Sequence, residues 1–249
     1  MKGISIFLLS ASAALYSSMA SASPIDITYY NKQTSAGFDF MDDSTLDSSN
    51  PETSSQTSGD ISNETTVEHT FSSTMDLFSF DMTHSLATES SFDSVLTTIM
   101  MEFTALNDAT YSLAGIYSML ASEQILMVSR AYLFDSTTAQ DLFLKSAEST
   151  NTSNESLILQ NANDGDFSNV FEGSPTGNLF AGHQYWFEFT YGLYSLGPID
   201  SSNANGEATF NIQAPAEVPE PGSLALAFLA VAGIWLGKKG SRIERADAV

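Results

Sequence analysis

The chain has 249 residues, no cysteine and a formal net charge of −22, with 30 acidic residues against eight basic ones. Without cysteine there is no disulfide framework, thiol chemistry or thiolate metal site. Charge of this sign and size repels nucleic acid and anionic lipid, excluding both as partners, while it attracts divalent cations and keeps a protein soluble in salty water.

Met1 and Lys2 make a minimal basic start, Ile4 to Leu15 an apolar stretch diluted by serine, and Ala20-Ser21-Ala22 a small-x-small site ahead of Ser23-Pro24. This is the pattern of a secretory signal peptide over residues 1–22, with Ala20 and Ala22 marking the cleavage site and the export machinery as a partner. From Ser23 to Pro219 the remaining 197 residues suffice for one domain plus a linker. They carry 27 Asp and Glu against Lys32, Arg130 and Lys145, so 27 minus 3 leaves a net charge of −24.

Pro24 to Tyr30 alternates β-branched and aromatic residues with polar ones and predicts a first strand. Between Ser44 and Thr66, 12 of 23 residues are Ser or Thr and only Leu46 and Ile61 are aliphatic, which predicts a long polar loop or linker, with O-linked glycans as one use. From Val67 onward the pattern is β throughout. Phe78, Phe80 and Met82 alternate with polar residues, as do Ile99, Met101, Phe103 and Ala105, then Tyr111, Leu113, Gly115 and Tyr117. Leu126 to Leu133 predicts a more deeply buried strand, followed by a turn at Asp135-Ser136-Thr137 and a strand holding Leu142 and Leu144. Polar loops are expected over Asn151 to Asn154, Asn161 to Asp166 and Gly173 to Gly177, with short strands at Leu157 to Leu159 and Val170-Phe171.

The clearest strand comes after the turn Ala181-Gly182-His183. It has Tyr185, Phe187, Phe189 and Tyr191 on one face and Trp186, Glu188 and Thr190 on the other. A loop from Pro198 to Gly206 then leads to a last strand, Ala208 to Ile212. Nine or ten short strands separated by Gly, Asn, Asp and Pro turns, with no amphipathic helix between them, predict an all-β antiparallel sandwich of jelly-roll type.

The tail has three parts in order. Pro219 and Pro221 fix two φ angles and remove two donors, so Val218-Pro219-Glu220-Pro221-Gly222-Ser223 stays out of any helix. Leu224 to Leu236 is 13 residues without a charge, about 20 Å as a helix against about 30 Å of hydrocarbon: a single short transmembrane helix suited to temporary anchoring. Lys238, Lys239, Arg242 and Arg245 form a basic stop, half of the chain's basic residues within its last 12 positions, which places residues before Val218 on the outer side. At these residues the chain resembles the PEP-CTERM sorting signal of exopolysaccharide-producing Gram-negative bacteria, also catalogued as an ice-binding protein C-terminal domain, over roughly 217–245. The resemblance implies that exosortase, a membrane-embedded cysteine transpeptidase, recognises Pro219, Glu220 and Pro221 and passes the body from a transient inner-membrane anchor to the cell surface or matrix. The basic cluster departs from a compact Arg-rich stop, being interrupted by Gly240, Ser241, Ile243 and Glu244. The expected division is signal peptide 1–22, strand and polar loop 23–66, sandwich 67–214 and sorting tail 217–245.

No residue pattern names a reaction. His69, His84 and His183 stand apart in Ser/Thr or Gly-rich surroundings, without a His-Glu-x-x-His pair or a nucleophile elbow, and read as surface histidines. Glu102 and Glu188 both fall in strands, the minimum that glycoside hydrolysis asks for. Asn161 to Asp166 supplies oxygens around a glycine but lacks the ligand spacing and closing glutamate of a calcium loop, so no metal or cofactor is expected. Trp186 points away from Tyr185 and Phe187, where an indole can stack on a sugar ring. The expected function is a non-enzymatic surface or matrix protein associated with exopolysaccharide. The alternatives are a secreted polysaccharide hydrolase and a ligand-binding or ice-binding module.

Overall fold

The computed structural model describes residues 23–37, 39–46, 51–89, 93–121, 125–151, 155–158 and 168–215. The chain divides into two units, 1–214 and 215–249, and the description concerns the first. The expected signal peptide, the Asn161 to Asp166 turn and the sorting tail with Pro219, Glu220, Pro221, Lys238, Lys239, Arg242 and Arg245 lie outside the described residues, as do Ala20 and Ala22.

The described residues form fourteen strands and no helix. They are β1 (Ile25–Ala36), β2 (Asp39–Asp43), β3 (Glu52–Ser58), β4 (Ile61–Phe71), β5 (Met75–Thr88), β6 (Ser94–Ala105) and β7 (Ala109–Ala121). The second half contributes β8 (Ile125–Asp135), β9 (Gln140–Asn151), β10 (Glu155–Ile158), β11 (Ser168–Gly173), β12 (Thr176–Leu179), β13 (Gln184–Ser195) and β14 (Ile199–Gln213). All pair antiparallel in two sheets. Sheet A runs β11-β9-β8-β13-β6-β1-β2; sheet B runs β10-β7-β14-β5-β4-β3, with β12 also against β7.

The inner faces of the two sheets make one core. Phe187 of sheet A stacks on Phe210 of sheet B at 4.5 Å, Tyr191 on Tyr117 at 4.4 Å, and Phe80 packs against both Phe187 and Phe189. Period-2 alternation supplies these residues: Phe78, Phe80 and Met82 on β5, Ile99, Met101, Phe103 and Ala105 on β6, and the four inward rings of β13 are all buried. Each such ring contributes about 1.5–3 kcal/mol by leaving water.

Four expectations need correction. The polar loop expected over Ser44 to Thr66 contains β3 and the start of β4, and the boundary expected at Val67 falls inside β4. Its inward positions are Ser54, Ile61, Asn63 and Thr65, mostly polar, and hydrogen bonds across the sheets satisfy several of them: Thr65 shares a 2.6 Å hydrogen bond with Thr97, and Asn63 donates to the carbonyls of Ser35 and Leu96. The loop expected from Pro198 to Gly206 is largely the first half of β14, where small inward residues, Ser202, Ala204 and Gly206, fit beneath large rings. β8 is no more deeply buried than its neighbours: Ile125, Met127, Ala131 and Leu133 face inward while Leu126, Val128 and Tyr132 are half-exposed. Leu142 and Leu144 lie on β9 as expected, and the inward positions of that strand are Phe143, Lys145 and Ala147.

Candidate functional site: the outer face of sheet A

Trp186 lies on β13, near the centre of sheet A, with β8 on one side and β6 on the other. Because Tyr185 and Phe187 are buried, strand geometry turns Trp186 to the outer face, where it is half-exposed. Its cross-strand neighbours are Phe134 on β8 and Glu102 on β6.

One more ring arrives from β1, and strict alternation cannot bring it. Ile25, Ile27 and Tyr29 are spaced to share one face, yet Tyr29 is 40% exposed and the neighbouring Tyr30 is buried. A β-bulge between Ile27 and Tyr29 adds Thr28 to the strand without a partner on β6 and inverts the facing of the rest of β1. The Thr28 hydroxyl donates to the Glu102 carbonyl at 3.2 Å and closes the bulge. Tyr29 then stands opposite Glu102, and its ring meets that of Trp186 at 5.9 Å with planes 14° apart.

The band continues on β8. Tyr132 packs beside Phe134 at 5.9 Å with planes 17° apart. Arg130 lies 5.4 Å from the Tyr132 ring centre and 3.2 Å from the Glu188 carboxylate. The Tyr132 hydroxyl donates to Asp141 at 2.6 Å; desolvation, that hydrogen bond and the Asp141 charge push its pKa up to about 12. Four aromatic side chains thus cross from β1 to β8, three interstrand steps or roughly 14 Å, with Glu102, Glu188 and Asp141 among them. Broad apolar ring faces beside fixed polar groups suit ligands that have an apolar face and a polar rim, as sugar rings do.

Glu102 and Glu188 come together in part. Since Glu188 pairs with Met100 and Trp186 with Glu102, the two acids are diagonal neighbours on this face, their strand positions about 7–8 Å apart in such a ladder. Glu188 is engaged by Arg130.

Two of the three histidines, His69 and His84, are not the surface residues expected, while His183 is partly exposed. His84 is fully buried, with Nδ1 2.5 Å from the Tyr117 hydroxyl and Nε2 3.0 Å from the Thr97 hydroxyl, and burial lowers its pKa to about 3. His69 is buried against Phe78 and meets Asp76 at 2.9 Å, while Asp76 accepts from Ser23 at 2.5 Å. The carboxylate stands between hydroxyl and imidazole there, the wrong order for activating a serine. His183 meets Asp135 at 2.8 Å. No group of three or more metal-ligating side chains occurs among the described residues.

Sheet B carries a different surface. An open groove of about 400 Å³ runs along β7, β12 and β14, lined by Thr110, Ser112, Thr176, Asn178, Asn211 and Gln213, with no charge.

Residues 217–239 match the PEP-CTERM protein-sorting motif. No curated protein matches the chain. Solved structures similar to it include that of infectious bursal disease virus Gt strain, at 9% identity and TM-score 0.24 over 86% of this chain and 74% of that one. The Gx strain structure is similar at 11% identity and TM-score 0.21, over 86% and 68%. At those TM-scores the likeness carries no argument. The sorting motif implies processing by exosortase and export through the membrane to the cell surface.

Proposed function

We propose that the chain is an exported, non-enzymatic surface or matrix protein. Residues 1–22 direct secretion, the tail anchors the body briefly in the inner membrane, exosortase cleaves near Pro219-Glu220-Pro221, and the released sandwich associates with exopolysaccharide. The match of residues 217–239 to the sorting motif carries this reading. The aromatic band around Trp186 supports the polysaccharide contact, since its rings are already packed side by side and lose little freedom on binding.

A jelly-roll reading of the sandwich is supported by its connectivity. The orders β5-β14-β7-β10 and β6-β13-β8-β9 interleave strands that alternate between the sheets, as two nested Greek keys do, with β1 to β4 added at one side.

The test is the intact mass and fractionation of the mature protein in strains with and without exosortase. Loss of both Met1 to Ala22 and the segment after about Pro221, in the exosortase strain alone, is the expected result. Persistence of Lys238 to Arg245 in the released form overturns it.

A second reading, a polysaccharide hydrolase, is favoured by the diagonal placement of Glu102 and Glu188 on one face beside Trp186, since glycoside hydrolysis uses a pair of carboxyl groups. It requires glycan cleavage that Glu102→Gln abolishes; intact glycan after prolonged incubation removes it.

A further inference from the structure

Lys32 is an anomaly. An exported acidic protein ordinarily leaves lysine in water, yet this one points inward from β1 and is fully buried. Its ammonium lies 3.4 Å from Asp43 Oδ2 and 3.4 Å from the Glu52 backbone carbonyl. The three residues come from three strands: Lys32 and Asp43 are direct cross-strand partners on β1 and β2 of sheet A, and Glu52 opens β3 of sheet B. Asp43 is held in place, because its Oδ1 accepts from the Thr45 amide at 3.0 Å and the Thr45 hydroxyl at 2.7 Å, leaving Oδ2 to the amine. Glu52 Oε2 is sealed from solvent. Burial and then the charges of Glu52 and Asp43 push the neighbouring Tyr30 hydroxyl well up.

A buried ammonium, a positioned carboxyl and a second shielded carboxyl are the parts needed to condense an amine with an acid. We propose that Lys32 and Asp43 are joined after folding by an intramolecular isopeptide bond, with Glu52 relaying protons. An ammonium proton passes to the Asp43 carboxylate, 3.4 Å away. The neutral Nζ then attacks Cγ, forming the N–C bond. The tetrahedral carbon expels one oxygen, which leaves as water with a proton from the nitrogen relayed by Glu52. Ammonium plus carboxylate becomes amide plus water, with nothing oxidised or reduced. Asp43 is held below the usual carboxylate range: burial raises it, but the Thr45 hydrogen bonds and Lys32 outweigh that. Each event is therefore slow, but a single maturation step at an effective molarity of about 10⁵ M or more tolerates this. The bond fastens edge strand β2 to its sheet, a covalent tie in a chain whose lack of cysteine rules out disulfides.

The inference is independent of the tail and of polysaccharide binding. The full chain is expressed, denatured and digested with chymotrypsin, which cuts at Phe38 and Phe40 between the two residues. The expected product is one two-branched peptide linking Lys32 to Asp43, lighter than its separate parts by about 18 Da, one water. Lys32→Met and Asp43→Ala each abolish it, and Glu52→Gln slows its appearance at least tenfold although both joined residues remain. Separate linear peptides from the wild type, with an unmodified Lys32, overturn the proposal whatever the variants do.

Discussion

His84 Nδ1 lies 2.5 Å from the Tyr117 hydroxyl inside the sandwich, and both rings are completely shielded from water. The imidazole is neutral, since burial lowers its pKa to about 3. In the unfolded chain the same group takes up a proton near pH 6.5. A folded pKa below the unfolded one means that the stability it protects is complete above pH 6.5 and is lost as pH falls toward 3. Denaturant unfolding at pH 7 and pH 4 is expected to differ by roughly 3 kcal/mol from this group alone. His84→Gln lowers stability at pH 7 but removes most of that difference; an unchanged slope between pH 4 and 6.5 counts against the assignment.

Gly206 is needed for its size. A Cβ there would come within 2.8 Å of the Tyr117 ring and 2.9 Å of the Tyr191 ring, which are themselves stacked at 4.4 Å. Neither ring is the free end of a flexible chain, so Gly206→Ala is expected to cost about 1–3 kcal/mol by overpacking. A thermal melt decides it: an unchanged Tm shows that the stack can slide.

The same glycine shows where sequence reading stops. Period-2 alternation reveals a strand when its inward residues are large and apolar, as with Tyr185, Phe187, Phe189 and Tyr191, and it gives the outward facing of Trp186 as well. It fails where inward positions are small or polar. Ser202, Ala204 and Gly206 look like a loop until the rings above them are known, and Asn63 and Thr65 look solvated until Thr97 and the Leu96 carbonyl are placed opposite. Tyr29 fails differently, because one unpaired residue, Thr28, reverses the facing of the strand, and no local pattern announces a bulge. The isolated lysines and histidines carry no signal of burial, which depends on partners distant in sequence.

Asp135 organises the turn that precedes β9. Its Oδ1 accepts from the amides of Thr137 at 2.9 Å and Thr138 at 3.1 Å, and its Oδ2 meets His183 Nδ1 at 2.8 Å. Burial alone would raise this carboxyl, but the hydrogen bonds, that of His183 first, hold it below its usual value. Its contribution is therefore present above the unfolded carboxylate pKa and is lost as pH falls through the lowered one, in more acid solution than the His84 effect. Asp135→Ala leaves two amides without their acceptor and is expected to cost about 1–3 kcal/mol at pH 7. The measurement is equilibrium unfolding at pH 7 and pH 3, and a penalty equally large at both would place the loss in packing.

Tyr29 and Trp186 set the last expectation, because their rings are on the surface and their removal need not disturb the core. Trp186→Ala and Tyr29→Ala should each leave the fold intact, with stability changes near or below about 1 kcal/mol. If the band holds polysaccharide by stacking, each loses about 1 kcal/mol of binding, a factor of about five in retention on purified exopolysaccharide. The double variant should fall short of the sum, since the rings touch each other. Phe71→Ala is the control: Phe71 is 48% exposed but lies on β4 of the other sheet. Retention that drops equally for Phe71→Ala, or that survives the loss of both Tyr29 and Trp186, rules out the outer face of sheet A as the contact.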